Sequence, residues 1–298
     1  MEKPPLEQQL HLAAIQGDAS NIYDLVMGEK LNVDCPDKEN TTPLMFASAN
    51  AHLDCVEELL GLGADPSARR QTGTTALFLA SQCGSLDIVQ ELLKKNPSVV
   101  DLPNYEGATP LIVACQCNHL DVATLLIETG ADIQAQMSDG TTALFLAAQN
   151  GHCRIIELLY KHEASVNEQR KDKASPLWIA CQMGHLDVVK LLLKLGAEVD
   201  AAREDGATPL FKATHKGHLE IVQELIKHKA NLNLLPIGES ALHAAALFGH
   251  GKIVKELFES GADPQLKNSY AQTPADLAKD AGYDAIYNYL NNPSSSVI

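Results

Sequence analysis

The chain has 298 residues, 45% of them hydrophobic, and a formal net charge of −15 from 38 acidic and 23 basic side chains. Phosphate-rich partners need a basic face, so this balance argues against nucleic acid and against anionic membrane surfaces. MEKPPLEQQL has no apolar run that could act as a signal peptide, and no stretch approaches the roughly 20 apolar residues of a membrane helix.

In chain order the same phrase keeps returning. A degraded copy, LHLAAIQGD, begins at Leu10, followed by TTPLMFASANAH at Thr41 and TTALFLASQCGS at Thr74. ATPLIVACQCNH begins at Ala108, TTALFLAAQNGH at Thr141 and ASPLWIACQMGH at Ala174. ATPLFKATHKGH begins at Ala207, ESALHAAALFGH at Glu239, and a last degraded copy, TPADLAKDAGY, at Thr273. The shared leucine falls at Leu44, Leu77, Leu111, Leu144, Leu177, Leu210 and Leu242, in steps of 33, 34, 33, 33, 33 and 32. A fixed period of this length marks a solenoid that grows unit by unit. Nine units are expected, near 4–37, 38–70, 71–104, 105–137, 138–170, 171–203, 204–235, 236–268 and 269–291, as one array over 1–291. Residues 292–298 have the composition of a disordered tail.

One unit can be read residue by residue. Asp139-Gly140 is a turn signal, and Thr141-Thr142 can cap a helix running from about Ala143 to Gln149. Gly151 can end it in the left-handed conformation. Ile155, Ile156, Leu158 and Leu159 then mark a second helix. The product is helix, turn, helix and loop. Ala51 and Asn118 replace the helix-ending glycine in two units, and Ala51 is expected to cost stability there. KKNPSVVD carries one extra residue and NLNLLPIGES lacks one, so those loops should differ. Glu2, Glu7, Gln8 and Gln9 at one end, and Lys279, Asp280 and Asp284 at the other, resemble polar caps, which makes a complete array the expectation.

These phrases match T-P-L-H-x-A followed by G-H, V-x-L-L and G-A-D, and over its whole length the sequence resembles the ankyrin-repeat family. The resemblance implies an all-α solenoid of stacked helix pairs, with loops forming β-hairpin fingers and first helices lining a concave groove. It also implies that the G-H histidines, His52, His119, His152, His185, His218 and His250, are structural. Their spacing agrees: stacked helices lie about 8–10 Å apart, too far for neighbouring imidazoles to share an ion at about 2 Å.

Lettering the first-helix positions a to g from the shared leucine, at about 100° per residue, places a, d and e inward and c, f and g outward. Position c reads Leu12, Phe46, Leu79, Val113, Leu146, Ile179, Lys212 and Ala244. Position f reads Ile15, Ala49, Gln82, Gln116, Gln149, Gln182, His215 and Leu247, and position g includes Cys83, Cys117, Met183, Lys216 and Phe248. The expected partner-binding groove is therefore an apolar stripe beside a glutamine ladder: Phe46, Leu79, Gln82, Val113, Gln116, Leu146, Gln149, Ile179, Gln182, Met183, Lys212 and Lys216. Gln both donates and accepts, which suits a peptide backbone, and an exposed apolar stripe would supply anchors. The competing reading is that position c packs against its neighbours. Position b reads His11, Met45, Phe78, Ile112, Phe145, Trp178, Phe211 and His243. The family's usual His is replaced by apolar groups in the six middle units, which reads as inter-unit packing.

No G-x-S-x-G, H-E-x-x-H, P-loop or dinucleotide motif occurs, so no enzyme, cofactor or metal is expected. Cys115 and Cys181 occupy the small buried slot e, and Cys115-x-Cys117 is too isolated for zinc. Seven cysteines at irregular spacing show no disulfide framework, which fits the cytoplasm, with the nucleus as a second compartment. Arg69, Arg70, Tyr105, Arg170 and Arg203, with Lys171 and Lys173, mark the finger tips and could steer an acidic partner. Ser296-Val297-Ile298 resembles a PDZ-domain ligand, so Ser296 and Ile298 offer a second docking point. Asn167 and Asn233 occupy the loop position where, in the family, an asparagine hydroxylase sometimes acts. Asn40 sits in a glycosylation acceptor that a cytoplasmic chain would not use. The expected function is a monomeric, non-catalytic scaffold or adaptor that binds another protein, with tail-mediated anchoring as the alternative.

Overall fold

In the computed structural model, residues 4–292 are described. Their eighteen α-helices fall into nine pairs, one pair in each sequence repeat. The first helices are α1 Leu6–Gln16, α3 Pro43–Ala49, α5 Ala76–Cys83, α7 Pro110–Gln116, α9 Ala143–Asn150, α11 Pro176–Met183, α13 Pro209–Lys216, α15 Ala241–Leu247 and α17 Pro274–Asp280. The second helices are α2 Ala19–Tyr23, α4 Leu53–Gly61, α6 Leu86–Lys95, α8 Leu120–Glu128, α10 Cys153–Lys161, α12 Leu186–Lys194, α14 Leu219–Lys227, α16 Gly251–Glu259 and α18 Asp284–Asn291.

Each first helix after α1, whose N-cap is Pro5, starts where a hydroxyl can satisfy a free amide. Thr42, Thr75, Thr109, Ser175, Thr208, Ser240 and Thr273 each accept from the amide three residues on, at 3.1–3.4 Å. Such caps are worth about 1 kcal/mol each. Pro43, Pro110, Pro176, Pro209 and Pro274 follow at a position whose amide would be orphaned anyway. The second helices bury one stripe: in α12, Val188, Val189, Leu192 and Leu193 are buried, while Asp187, Lys190 and Lys194 are exposed. Each such aliphatic side chain contributes about 1.5–3 kcal/mol on burial.

The first helices end as expected in left-handed residues. Ala51 and Asn118 take φ of 58° and 64° where other units use glycine. The loops differ from expectation: among the described residues they are turns, not strands, and Gln136–Thr142 is an isolated bridge. The tips keep hairpin bonds, such as Arg70 N to Thr74 O at 3.1 Å, and adjacent tips are tied, as by Tyr105 N to Thr72 O at 3.0 Å. The fingers are too short for a longer ladder. The extra residue of KKNPSVVD is absorbed by a 3₁₀ turn at Pro97–Val99, and the shortened loop holds another at Pro236–Gly238 with Ile237 at φ 49°.

The chain divides into two compact units, Met1–Leu146 with Glu157–Ala164, and Ala147–Ile156 with Ser165–Ile298. The core of unit one is built on Leu10, Leu44, Leu59, Leu77, Leu92, Leu111 and Leu126. That of unit two is built on Leu177, Trp178, Leu192, Leu210, Leu225, Leu242 and Leu257.

Candidate functional site

Position b is the packing position that its composition implied. Met45, Phe78, Ile112, Phe145, Trp178 and Phe211 are all buried. The two histidines that remain at b work differently. His243 Nδ1 accepts from Ser240 N at 3.2 Å, so its Nε2 carries the proton that it donates to Gln272 O at 3.1 Å. His11 Nε2 meets Cys35 O at 2.8 Å. Trp178 keeps that bond with a different ring, its Nε1 donating to Ala207 O at 2.9 Å. An aromatic group thus replaces His without orphaning the loop carbonyl, which the sequence reading did not anticipate.

Position c requires a correction. Leu79, Val113, Leu146 and Ile179 were expected on an outward face, yet they are only 8%, 4%, 9% and 7% exposed. Phe46 and Lys212 are half-buried. The helical-wheel argument treats a helix as isolated, but here other first helices flank it. Side chains also lean toward the N-terminus of their own helix, where the finger turn attaches. Position c is therefore packed at Leu79, Val113, Leu146 and Ile179, whereas Leu12 in the first repeat stays 43% exposed.

The side chains left at the surface are those at f and g, on the last turn. In unit one Gln82, Cys83, Gln116 and Cys117 are exposed. In unit two Met183 is 48% exposed, Lys216 is exposed, and Gln149, Gln182 and His215 are half-buried. A repeated device fixes the backbone beneath them. His52 Nε2 bonds to Ile15 O and His119 Nε2 to Gln82 O, both at 2.9 Å. His185 does the same to Gln149 O at 2.9 Å, and His218 and His250 reach Gln182 O and His215 O at 3.4 Å. A carbonyl only accepts, so each Nε2 is the donor. Each imidazole also lies against the glycine that ends the earlier helix: a methyl at Gly217 would sit 2.9 Å from His250 Cε1. One residue thus locks the end of the helix that displays f and g.

Unit one holds an exception. Ser85 stands where the repeats on either side have His52 and His119, and Ala51 stands where the opposing glycine would be. Ala49 O, the carbonyl left over, accepts from Cys83 Sγ at 3.2 Å.

The finger-tip cations are largely paired. Arg70 binds Glu39 at 2.9 Å, Arg170 lies 3.5 Å from Asp172, and Arg203 binds Asp172 at 3.1 Å and Asp205 at 3.2 Å. Arg69 is half-buried, and Tyr105 is 69% exposed. Asn167 accepts from Glu198 N at 2.9 Å and donates to Gly196 O at 3.1 Å, while Asn233 accepts from Asp263 N at 2.9 Å. Both loop asparagines thus bridge to the following loop. Ser296 and Ile298 lie outside the described residues.

Thiol chemistry has little support here. Burial holds Cys35 and Cys55 at about 11 and pushes Cys115 and Cys181 higher still. Desolvation also raises Cys83 and Cys117, the latter further by Cys83. Among the described residues no group of three or more His, Cys, Asp or Glu could hold a metal, and no helix is long and apolar enough to cross a membrane.

The family model described as "Ankyrin repeats (3 copies)" matches residues 10–102, 55–137, 132–203 and 197–268. Among similar curated proteins, "Ankyrin repeat domain-containing protein 29" of Danio rerio is 44% identical over 70 residues, 24% of each chain. The Homo sapiens protein of that name is 51% identical over 49 residues, 16% of each chain. "Inversin" of Canis lupus familiaris is 38% identical over 72 residues, 24% of this chain and 7% of that one. The chain thus spans a quarter or less of these relatives' own length.

Proposed function

Because the chain belongs to the ankyrin-repeat family, whose repeats are generally protein–protein interaction modules, we propose that it is a non-catalytic scaffold for a partner protein. The partner-reading side chains are those at f and g. Unit one offers Gln82, Cys83, Gln116 and Cys117, and unit two offers Gln149, Gln182, Met183 and Lys216, with Lys212, half-buried at position c, beside them. The observation that carries this reading is the contrast along one helix. In the middle repeats positions a to e are packed or capped, while the last turn is held by an imidazole from a later repeat of the same unit and turns variable side chains to solvent. A surface fixed before binding loses little conformational freedom on binding. Paired amide donors and acceptors on Gln82 and Gln116 suit a peptide backbone. The free thiols of all seven cysteines suit a reducing compartment such as the cytoplasm.

The test is affinity capture from cell lysate with the full chain and with Gln82→Arg/Gln116→Arg and Gln149→Arg/Gln182→Arg. Circular dichroism melting first verifies that each variant is folded. Loss of a specific subset of captured proteins by at least one variant is expected. Identical capture by both folded variants would overturn the f and g assignment. Deleting Ser296–Ile298 separates tail anchoring, which that deletion abolishes, from face binding, which it leaves intact.

A further inference from the structure

We infer that unit two carries a binding site for an acidic peptide segment bearing apolar side chains, centred on Lys212 and Lys216 of α13 and flanked by Met183 and Phe248. The inference rests on the scaffold reading and adds the chemistry of the partner.

The chain is strongly acidic, yet α13 carries Lys212, His215 and Lys216 within eight residues. Two lysines one turn apart on a short helix repel each other, so the arrangement is mildly destabilising in the free protein. Among the described residues no direct ion pair neutralises it, and Asp205 offsets part of the repulsion at Lys212. The Arg203 guanidinium is already held by Asp172 at 3.1 Å and Asp205 at 3.2 Å. Among the described residues Lys212 and Lys216 form no ion pair, and Asp205 acts on Lys212 only at a distance. The positive field is strong enough that Lys212, Lys216 and His250 add to burial in pushing the His215 imidazole below its ordinary range.

The cluster is also built, not merely exposed. Lys212 Nζ lies 5.1 Å from the centre of the Trp178 ring, which holds the lysine stem in one place. His215 packs edge-on against Phe248 with ring centres 4.6 Å apart, and its buried Nδ1 finds no hydrogen-bond partner. Met183, at the end of α11, and Phe248, just past α15, are 48% and 44% exposed. Fixed positive charge between two exposed apolar side chains is complementary to carboxylates interspersed with large apolar groups. An anionic polymer without apolar side chains would leave Met183 and Phe248 uncovered, and its denser charge would meet more repulsion from a chain of net charge −15 than a short acidic peptide does.

The probe is a phage-displayed library of random peptides, about a dozen residues long, panned against the full chain. The expected winners are rich in Asp and Glu and carry a large aliphatic or aromatic residue. A synthetic winner should bind Lys212→Glu/Lys216→Glu at least ~10-fold more weakly than the parent chain, and should weaken as NaCl rises from about 0.05 to about 0.3 M. Lys212→Arg/Lys216→Arg should retain binding. Lys216→Glu alone, at an exposed position, guards against a folding defect and should still weaken it several-fold. No enrichment, winners without acidic bias, or unchanged affinity in Lys216→Glu would overturn the inference. Competition by a single-stranded oligonucleotide at equal strength would also overturn it, by assigning the cluster to nucleic acid. If these arms fail while the glutamine variants lose lysate partners, the scaffold reading stands and only the acidic site falls.

Discussion

His243 shows how one buried ring couples repeat packing to pH. Desolvation pushes its imidazole below the ordinary range, with a pull the other way from Gln272 O. Its Nδ1 is also occupied as an acceptor by Ser240. Protonation there would cost both the acceptor and the solvation of a buried charge. The folded pKa is therefore depressed, and the unfolded chain takes up the proton first. Stability is intact above the unfolded value of about 6.5 and is lost as pH falls through the folded one. His215 is shifted in the same direction and adds to the slope. The urea midpoint should fall as pH is lowered from about 7 to about 5. His243→Gln, although less stable overall, should show a distinctly shallower decline; an unchanged slope would place the titration elsewhere. Sequence alone identified His243 as the family's histidine, but the tautomer needed the geometry of both of its nitrogens.

At the scale of the helix pair, the motif was legible because its signals are local. Caps, first-turn prolines, left-handed terminators and the period-3.6 stripes of the second helices each depend on a few neighbouring residues. Position c was misread because its burial depends on neighbours more than thirty residues away in sequence. Glutamate at Leu79, Leu146 or Ile179 would therefore act on the core before it acted on any partner. The pairing of Ala51 with Ser85 is another relation of this long-range kind. Elsewhere at least one member of the pair is kept, as in Asn118 before His152 and Gly249 against Tyr283, whereas here both residues differ, and Cys83 takes the orphaned carbonyl. Ser85→His should destabilise the chain by about 1–2 kcal/mol, because the imidazole meets the Ala51 methyl. Ala51→Gly alone should be near neutral or slightly stabilising, since it relieves a left-handed alanine at φ 58°. The double variant should be more stable than Ser85→His by more than the Ala51→Gly effect, giving a coupling of about 1 kcal/mol in urea denaturation. Additivity would mean that the His–Gly contact is incidental to stacking.

For the chain as a whole, the period and the composition were enough to establish the family, because nine imperfect copies average out the noise in any one. Function was legible only as a class, since the residues that discriminate partners are the ones free to vary. Charge is the property that belongs to the entire molecule. With 38 acidic and 23 basic side chains, repulsion among carboxylates opposes the compact state. The described ion pairs pull the other way, but those such as Arg70–Glu39 and Lys94–Glu91 are partly or largely solvated and worth about 0–1 kcal/mol each. Both terms shrink as the screening length falls from about 10 Å near 0.1 M salt toward about 3 Å at 1 M. The repulsion sums over fifteen uncompensated charges, whereas the pairs are few and weak, so screening should remove more repulsion than attraction. The urea midpoint should therefore rise between about 0.05 and about 0.5 M NaCl. A midpoint that falls with salt would mean that the finger-tip pairs, Arg70–Glu39 and Arg203–Asp172 foremost, act as a cooperative network that outweighs the net charge.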